Sequence, residues 1–252
     1  MAPYHICKYQ DSDCKEVVEL FSKGLTEQVP TTFCHLLRLP QTLALLLGGP
    51  LALFLISGSW LLALMASLAL LTALRFLAKY PWTEREVIAL NTDMSDITKT
   101  YLSEQGSYFW VAEFEEKVVG MVGCLPAEDS TMGRKPLELV HLSVAVELRG
   151  QGMGKALVRM VLQFARDQSY SEVILSTTAL QYSAIGLYQS LGVQKMHEFF
   201  FSMSFRIVAV PAILFIFRLP SPQAQGIQTE VKQGFPRRKG DGREGQMQIR
   251  DL

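Results

Sequence analysis

Hydrophobic and polar positions change their rhythm twice along this chain. In the first 35 residues they are mixed. "YHICKYQ" (4–10) predicts a strand, and "DSDCKEVVELFSKGL" (11–25) predicts a capped amphipathic helix with Val17, Val18, Leu20 and Phe21 apolar. Polarity then disappears, and residues 39–74 contain no charged side chain. One spanning helix needs about 20 apolar residues, so this stretch is too long for a single upright span and tight for two. A soluble core helix would not be apolar all round over such a length. A signal peptide is excluded because a polar, charged segment precedes the stretch. Mixed patterning then returns. "YFWVAEFEEKVVGMVGC" (108–124) alternates and turns like a β-hairpin, and "LELVHLSVAV" (137–146) reads as a buried strand. "KALVRMVLQFARDQ" (155–168) reads as a helix with Leu157, Val161, Phe164 and Ala165 on one face and Arg159, Gln163 and Arg166 on the other. "EVILSTT" (172–178) is a second apolar strand, and "QYSAIGLYQSLGV" (181–193) a short helix stopped by Gly192. The polar, Gly/Pro/Gln-rich tail at 219–252 is expected to be disordered.

The turn between strand 137–146 and helix 155–168 reads "RGQGMGKAL" (149–157). Glycine-rich turns that open a helix suit phosphate, because the first helical N–H groups lack partners and the macrodipole adds partial positive charge. A dinucleotide fingerprint fails on spacing, since Lys155 stands where its third glycine belongs. A nucleoside-triphosphate loop fails too, with Ala156 in the magnesium-binding position and Arg149 in place of the first glycine. The pattern that does fit is R-x-x-G-x-G, as Arg149, Gly152 and Gly154, with Arg149 and Lys155 placed to add charge. An ordinary glycine-rich turn is the alternative.

The loop, with the strand and short helix downstream of it, resembles the GNAT superfamily of acyl-CoA-dependent N-acetyltransferases. In that superfamily the R/Q-x-x-G-x-G/A loop holds the coenzyme A pyrophosphate, and an A-x-x-L-Y-x-x-x-G-F helix carries a tyrosine. The second motif reads here Ala184, Leu187, Tyr188 and Gly192, with Val193 in place of the usual Phe and Gln181 where an asparagine is common. The resemblance implies acetyl-CoA as co-substrate, contacted by Val144, Val146, Arg149, Gly150, Gln151, Gly152, Met153, Gly154, Lys155 and Gln181. Within the superfamily the chain resembles the camello-like N-acetyltransferases of the vertebrate endoplasmic reticulum. It does so through "MAPYHI", "LLLGGP", "SGSW" and "TDMSDI" (residues 1–6, 45–50, 57–60 and 92–97), over roughly residues 1–206. That likeness suggests cysteine S-conjugates as acceptors or, for some members, lysine side chains of secretory-pathway proteins. The endoplasmic reticulum membrane is the implied location, with the ER–Golgi intermediate compartment as the alternative.

The expected fold is therefore α/β, a GNAT acetyltransferase fold with a mixed central sheet flanked by helices and an inserted membrane-embedded helical hairpin. Residues 1–35 supply the first strand and helix, 36–80 the insert, and 81–218 the remainder of the domain. The first strand must pair with "YFWVAEF", so both ends of the insert must lie on one side of the bilayer. A hairpin with arms near 40–56 and 60–76, turning at Ser57-Gly58-Ser59, satisfies this. Arg38, Arg75 and Lys79 at its ends point to the cytosol. A single span at 51–74, kinked off by Gly48-Gly49-Pro50, would strand the first 35 residues across the bilayer.

Composition adds exclusions. The 24 basic and 24 acidic residues cancel, so nothing argues for a nucleic-acid partner. The four cysteines, Cys7, Cys14, Cys34 and Cys124, show neither metal-type pairing nor framework spacing, and no metal is expected. Asn91, the only asparagine, lies in no glycosylation acceptor sequence. Both facts fit a catalytic domain in a reducing compartment.

Acetyl transfer to an amine needs a neutral amine, a stabilised oxyanion and a proton for the thiolate. Tyr188 is the expected acid. A tyrosine near its reference value of about 10 donates to a thiol near about 8.5 without a large shift. The alternative is a core residue sharing a helix face with Ala184 and Leu191. The oxyanion donor is expected among the backbone N–H groups from Leu142 to Val144. His141, on the same strand face as Leu139 and Ser143, is a candidate base or a hydrogen-bonded structural residue; Glu138, on the opposite face, is its rival. An α-amine with a pKa near 8 needs no base, since about a tenth is neutral at cytosolic pH, against roughly one in a thousand for lysine. Arg75, Lys79 or Arg85 could hold an α-carboxylate. Three readings remain open: an N-acetyltransferase of cysteine S-conjugates, a protein-lysine N-acetyltransferase, and a catalytically silent membrane scaffold.

Overall fold

The computed structural model describes residues 4–103, 106–127 and 136–219. The tail expected to be disordered, 219–252, lies outside the described residues except for Leu219, which is buried. The elements are β1 (His5–Lys8), α1 (Cys14–Thr26), α2 (Gln28–Arg38), α3 (Pro40–Ser57) and α4 (Trp60–Asn91), then β2 (Tyr108–Phe114), β3 (Lys117–Pro126) and β4 (Pro136–Val144). After them come α5 (Met153–Asp167), β5 (Glu172–Thr178), α6 (Tyr182–Ser190), β6 (Gln194–Phe199), α7 (Met203–Ile207) and β7 (Ala212–Arg218). One seven-stranded sheet runs in the order β1-β2-β3-β4-β5-β7-β6. Among the described residues only β4 and β5 pair parallel; the other neighbours are antiparallel. This is the mixed sheet flanked by helices that the sequence leads one to expect.

Strand periodicity explains why both faces of the sheet are covered. In β2, Phe109 and Val111 enter one core while Trp110 and Ala112 enter the other, and all four are buried. The first core is roofed by α1, α2 and α4 through Val17, Phe21, Leu36 and Trp82. The second is closed by α5 and α6, with Leu157, Val161 and Tyr188 against Leu137, Leu139 and Phe215. Glu115 and Glu116 connect β2 to β3 with φ of 50° and 61°, the left-handed pair that a two-residue hairpin requires.

The N-terminal half differs in detail from the expected single helix and 17-residue arms. A second helix, α2, follows α1 after one residue and buries Val29, Thr32 and Leu36. The second apolar arm does not end near 76. It continues as α4 to Asn91, and its last turns bury Ala78, Trp82 and Ala89 in the sheet's first core. Past Arg75 the helix changes from apolar all round to amphipathic, and Pro81 does not break it. Trp82 Nε1 donates to Thr32 Oγ1 at 2.9 Å, which ties α4 to α2.

Between these ends α3 and the first half of α4 form a helical hairpin. Gly58, at φ 67°, closes α3, and the Ser59 side chain accepts the Leu62 N–H at 3.5 Å to open α4. α3 passes through Gly48, Gly49 and Pro50 as one helix and ends at Gly58, inside the alternative span 51–74, so the chain turns where that single span would have to continue. The hydroxyls of Ser57, Ser67 and Thr72 donate to carbonyls four residues back at 2.6, 3.0 and 2.8 Å, satisfying themselves within each helix. Ile56 and Leu55 are 87% and 73% exposed. By length and composition both helices are apolar enough to cross a membrane.

Candidate active site

The site is made by a parallel pair that comes apart. β4 and β5 pair only from Pro136–Glu172 to Leu139–Leu175, and beyond that their ladder stops. A bulge in β4 coincides with the divergence. Gly123 opposes Val140 and Met121 opposes Ser143, so Val122 alone faces both His141 and Leu142. His141 is the extra residue, held left-handed at φ 55°. Bulges bend a strand and sharpen its twist, which turns the β4 end away from β5 and opens a cleft.

The bulge also corrects the expected facing of the two candidate bases. Leu139 packs in the α5 core, whereas His141 stands edge-on to Phe21 at 5.1 Å, in the core under α1. His141 and Leu139 are therefore on opposite faces. Glu138, expected opposite His141, shares its face, and both line the cleft. The extra residue inverts the alternation at that point.

His141 is not alone. Its Nε2 lies 2.5 Å from Asp93 Oδ2, and the Tyr101 hydroxyl donates to the same oxygen. Thr92 Oγ1 donates to the other carboxylate oxygen at 3.1 Å. Burial pushes the Asp93 carboxyl up, but the hydrogen bond and charge of His141, then Tyr101 and Thr92, outweigh it and hold the group down at about 2. Asp93 is thus an ionised acceptor, and the imidazole presents Nε2–H to it. That tautomer leaves Nδ1 as the ring's free lone pair. The Tyr101 proton is locked in place by burial first and Asp93 second, which push its pKa far up. Asp93 comes from the "TDMSDI" stretch just past α4, 48 residues before His141, and the sequence assigns it no role.

Where β4 ends the glycine loop begins. Gly150 and Gly152 take φ of 79° and 85°, and Gly152 caps α5 in a conformation that side chains resist. The first helical bond runs from Ala156 N–H to the Gly152 carbonyl, so Met153, Gly154 and Lys155 keep N–H groups without helical partners. Gly150, Gly152, Met153, Gly154 and Lys155 line the cleft with Val144. Val146 and Gln151 do not; Val146 stands half exposed in a 3-10 turn. A Cβ at Gly154 would sit 3.5 Å from Leu187 and 3.8 Å from Val144, where it meets ordinary contact, so that glycine is the less demanding of the two.

Three site residues depart from expectation. Arg149 lines the cleft, yet its guanidinium is engaged: Nε donates to the Val144 carbonyl at 2.9 Å and an Nη to Glu27 at 2.7 Å. Glu27 sits between α1 and α2, where only folding brings it to the loop. Gln181 turns its carbonyl oxygen to the end of β5, accepting from Thr177 Oγ1 at 2.6 Å and the Thr178 N–H at 3.2 Å. Tyr188 lines the cleft but is buried against Phe215, and burial pushes its hydroxyl well above the ordinary range, contrary to the unshifted value expected. Its hydroxyl has no hydrogen-bond partner among the described residues.

Two cavities meet at His141. The larger, about 480 Å³, runs from the glycine loop along the splayed strands. The second, about 320 Å³, lies under the end of α4 between Ile88, Asp93 and Phe205. Phe21, Arg85, Val140, His141 and Phe201 belong to both. Of the three cations considered for a carboxylate, Arg85 alone lines either cavity; Arg75 lies over the Phe33 ring at 5.9 Å. Among the described residues no group of three His, Cys, Asp or Glu could hold a metal ion.

Comparison with known proteins bears on this geometry. Residues 70–193 match the model of the acetyltransferase (GNAT) family. The chain is 64% identical to N-acetyltransferase 8B of Homo sapiens over 224 residues, 89% of this chain and 99% of that one. It is 62% identical to N-acetyltransferase 8 of Homo sapiens over 221 residues, 88% and 97% respectively. Among solved structures, a GNAT-family acetyltransferase from Staphylococcus aureus shares the fold at a TM-score of 0.51. That match has 15% identity and covers 86% of this chain and 99% of that one.

Proposed function

The chain belongs to the acetyltransferase (GNAT) family, in its N-acetyltransferase 8 branch, and is an acetyl-CoA-dependent N-acetyltransferase; from that premise we propose that it is membrane-anchored and acetylates the α-amine of cysteine S-conjugates. One observation carries this reading. The Asp93–His141 pair stands where the loop-side cavity meets a second cavity beside Ile88, on the helix that runs back into the apolar hairpin. Acetyl-CoA occupies the first, its pyrophosphate on the N–H groups of Met153 to Lys155. An acceptor enters the second from the apolar side.

His141 Nδ1 takes the ammonium proton, and Asp93 keeps the ring oriented and balances its charge. The freed amine attacks the thioester carbon, and N–H groups between Leu142 and Val144, past the last β4–β5 pair, meet the oxyanion. The Tyr188 hydroxyl, which holds its proton firmly, donates a hydrogen bond to the departing sulfur, and the second amine proton passes to that sulfur as the C–S bond breaks and the amide forms. Glu138 shares the cleft but lacks the junction position of His141, so the base role goes to His141. The hairpin lies in the endoplasmic reticulum membrane with the catalytic domain cytosolic, in keeping with Arg38, Arg75 and Lys79 at its ends. α3, at about 27 Å, approaches the thickness of a bilayer core.

Purified protein in nanodiscs, given acetyl-CoA, should form N-acetyl-S-benzylcysteine. KM should fall from S-methyl to S-hexyl to S-decyl cysteine, by about fourfold per methylene that becomes buried. Acetylation of a lysine peptide with none of S-benzylcysteine would favour the protein-lysine reading, and activity on neither the scaffold reading. Protection of the N-terminus with digestion of the catalytic domain, in sealed microsomes, would overturn the hairpin in the membrane.

A further inference from the structure

Arg85 is a charged side chain held by an aromatic ring rather than by a bonded counter-charge. It lies on the last turns of α4, half-buried, in the wall between the two cavities. Its guanidinium stacks over the Phe201 ring at 3.9 Å. It makes no hydrogen bond or ion pair with any described residue. Two nearby carboxylates are already committed: Asp93, just past the helix, to His141 and Tyr101, and Glu84 to the hydroxyls of Ser202 and Ser204. Glu138 and Asp93 reach Arg85 only through their fields. A cation withdrawn from water without a bonded counter-charge is costly, and a fork pinned on an aromatic ring has already given up much of its rotational freedom. Both facts describe a site awaiting a planar anion.

Resting on the acceptor reading above, we propose that Arg85 is the specificity residue of this enzyme, binding the α-carboxylate of an amino-acid acceptor so that its α-amine is held at His141. The two groups share the cavity wall, and an α-amino acid carries its ammonium and its carboxylate on one carbon. Arg85 takes the carboxylate, and His141 with Asp93 takes the ammonium and its proton. The third substituent of the α-carbon then leaves past Ile88, which is 55% exposed. The β6–α7 segment, which lends Phe201 and Phe205 to the second cavity, also carries Phe200, Met203 and Ile207 as exposed apolar side chains. The site therefore reads a free α-carboxylate next to a primary amine and tolerates a range of apolar side arms. A peptide lysine has no carboxylate in that place.

The test compares S-benzylcysteine with S-benzylcysteamine, which keeps the amine and the benzyl arm but lacks the carboxylate. The kcat/KM ratio of acid to decarboxylated amine should fall about 10²-fold in Arg85→Met, the worth of a charge-assisted bidentate pair. In Arg85→Lys, which keeps the charge and loses the fork, it should fall about tenfold. Because a ratio is read within each variant, partial misfolding cancels; should the Met variant not fold, the Lys variant decides. Ratios within threefold of wild type overturn the assignment of Arg85 while leaving the acceptor reading intact. A wild-type enzyme that acetylates a lysine peptide but neither benzyl compound overturns the acceptor reading and this assignment with it.

Discussion

Replacing Asp93 with asparagine keeps the shape of the side chain and removes its charge. Two outcomes are open to the His141 ring. Either the amide oxygen accepts from Nε2–H as a neutral acceptor, or the amide NH2 donates to Nε2 and forces the ring proton onto Nδ1, where it blocks the base. The size of the loss follows from the carboxylate's own state. Its pKa is lowered from 3.8 to about 2 although burial opposes that, a difference worth roughly 2 kcal/mol. If that interaction is spent on the ring as it takes the ammonium proton, kcat/KM for S-benzylcysteine should fall about 10²-fold. Acetyl-CoA affinity by calorimetry should hold. A folded-state carboxyl pKa below its unfolded value stabilises the protein above pH 4, and that contribution disappears as pH falls from about 4 to about 2. The asparagine variant should therefore lose about 2 kcal/mol of stability at neutral pH and show a shallower acid-unfolding limb over that window, followed by tryptophan fluorescence. Product formation read by chromatography avoids thiol reagents, which would meet the exposed Cys14 and Cys34. A variant within threefold of wild-type kcat/KM would refute the relay and return His141 to a structural role.

The other predictions concern the coenzyme side. Gly152→Val places a β-branched residue at φ 85° and should abolish acetyl-CoA binding in calorimetry while leaving membrane insertion intact; unchanged affinity would remove the loop from the pyrophosphate site. Tyr188→Phe keeps the ring against Phe215 and should lower kcat about 10²-fold with KM for acetyl-CoA little changed; wild-type kcat would make Tyr188 a core residue. Glu27→Gln releases Arg149 from its surface pair and should tighten acetyl-CoA two- to fivefold, about the worth of such a pair, with the gain shrinking at high salt. Weaker binding would mean that Glu27 holds Arg149 in its working position.

Local signals in the sequence suffice for much of this molecule. The R-x-x-G-x-G turn between a strand and a helix is a backbone motif whose glycines declare themselves, and β5 falls on the "EVILSTT" segment because a short β-branched run has few alternatives. The apolar stretch at 39–74 yields two helices with a turn at Gly58, since a left-handed cap needs glycine and no charge interrupts either arm. What periodicity does not carry is the single extra residue in β4. Alternation by two puts His141 with Leu139, and one bulge, set by the pairing of β3 against β4, moves it under α1 beside Glu138. Nor does it carry partners separated by long stretches of chain: Asp93 with His141, Glu27 with Arg149, Phe201 under Arg85. Where α4 stops being apolar is visible in the residues, but that it stays one helix to Asn91 and delivers Arg85 to the cleft is decided by the packing of Trp82 on Thr32 and Phe205. Chemistry types and local turns are properties of neighbouring residues, whereas the charge, the tautomer and the empty fork arise from contacts that exist only once the sheet has closed.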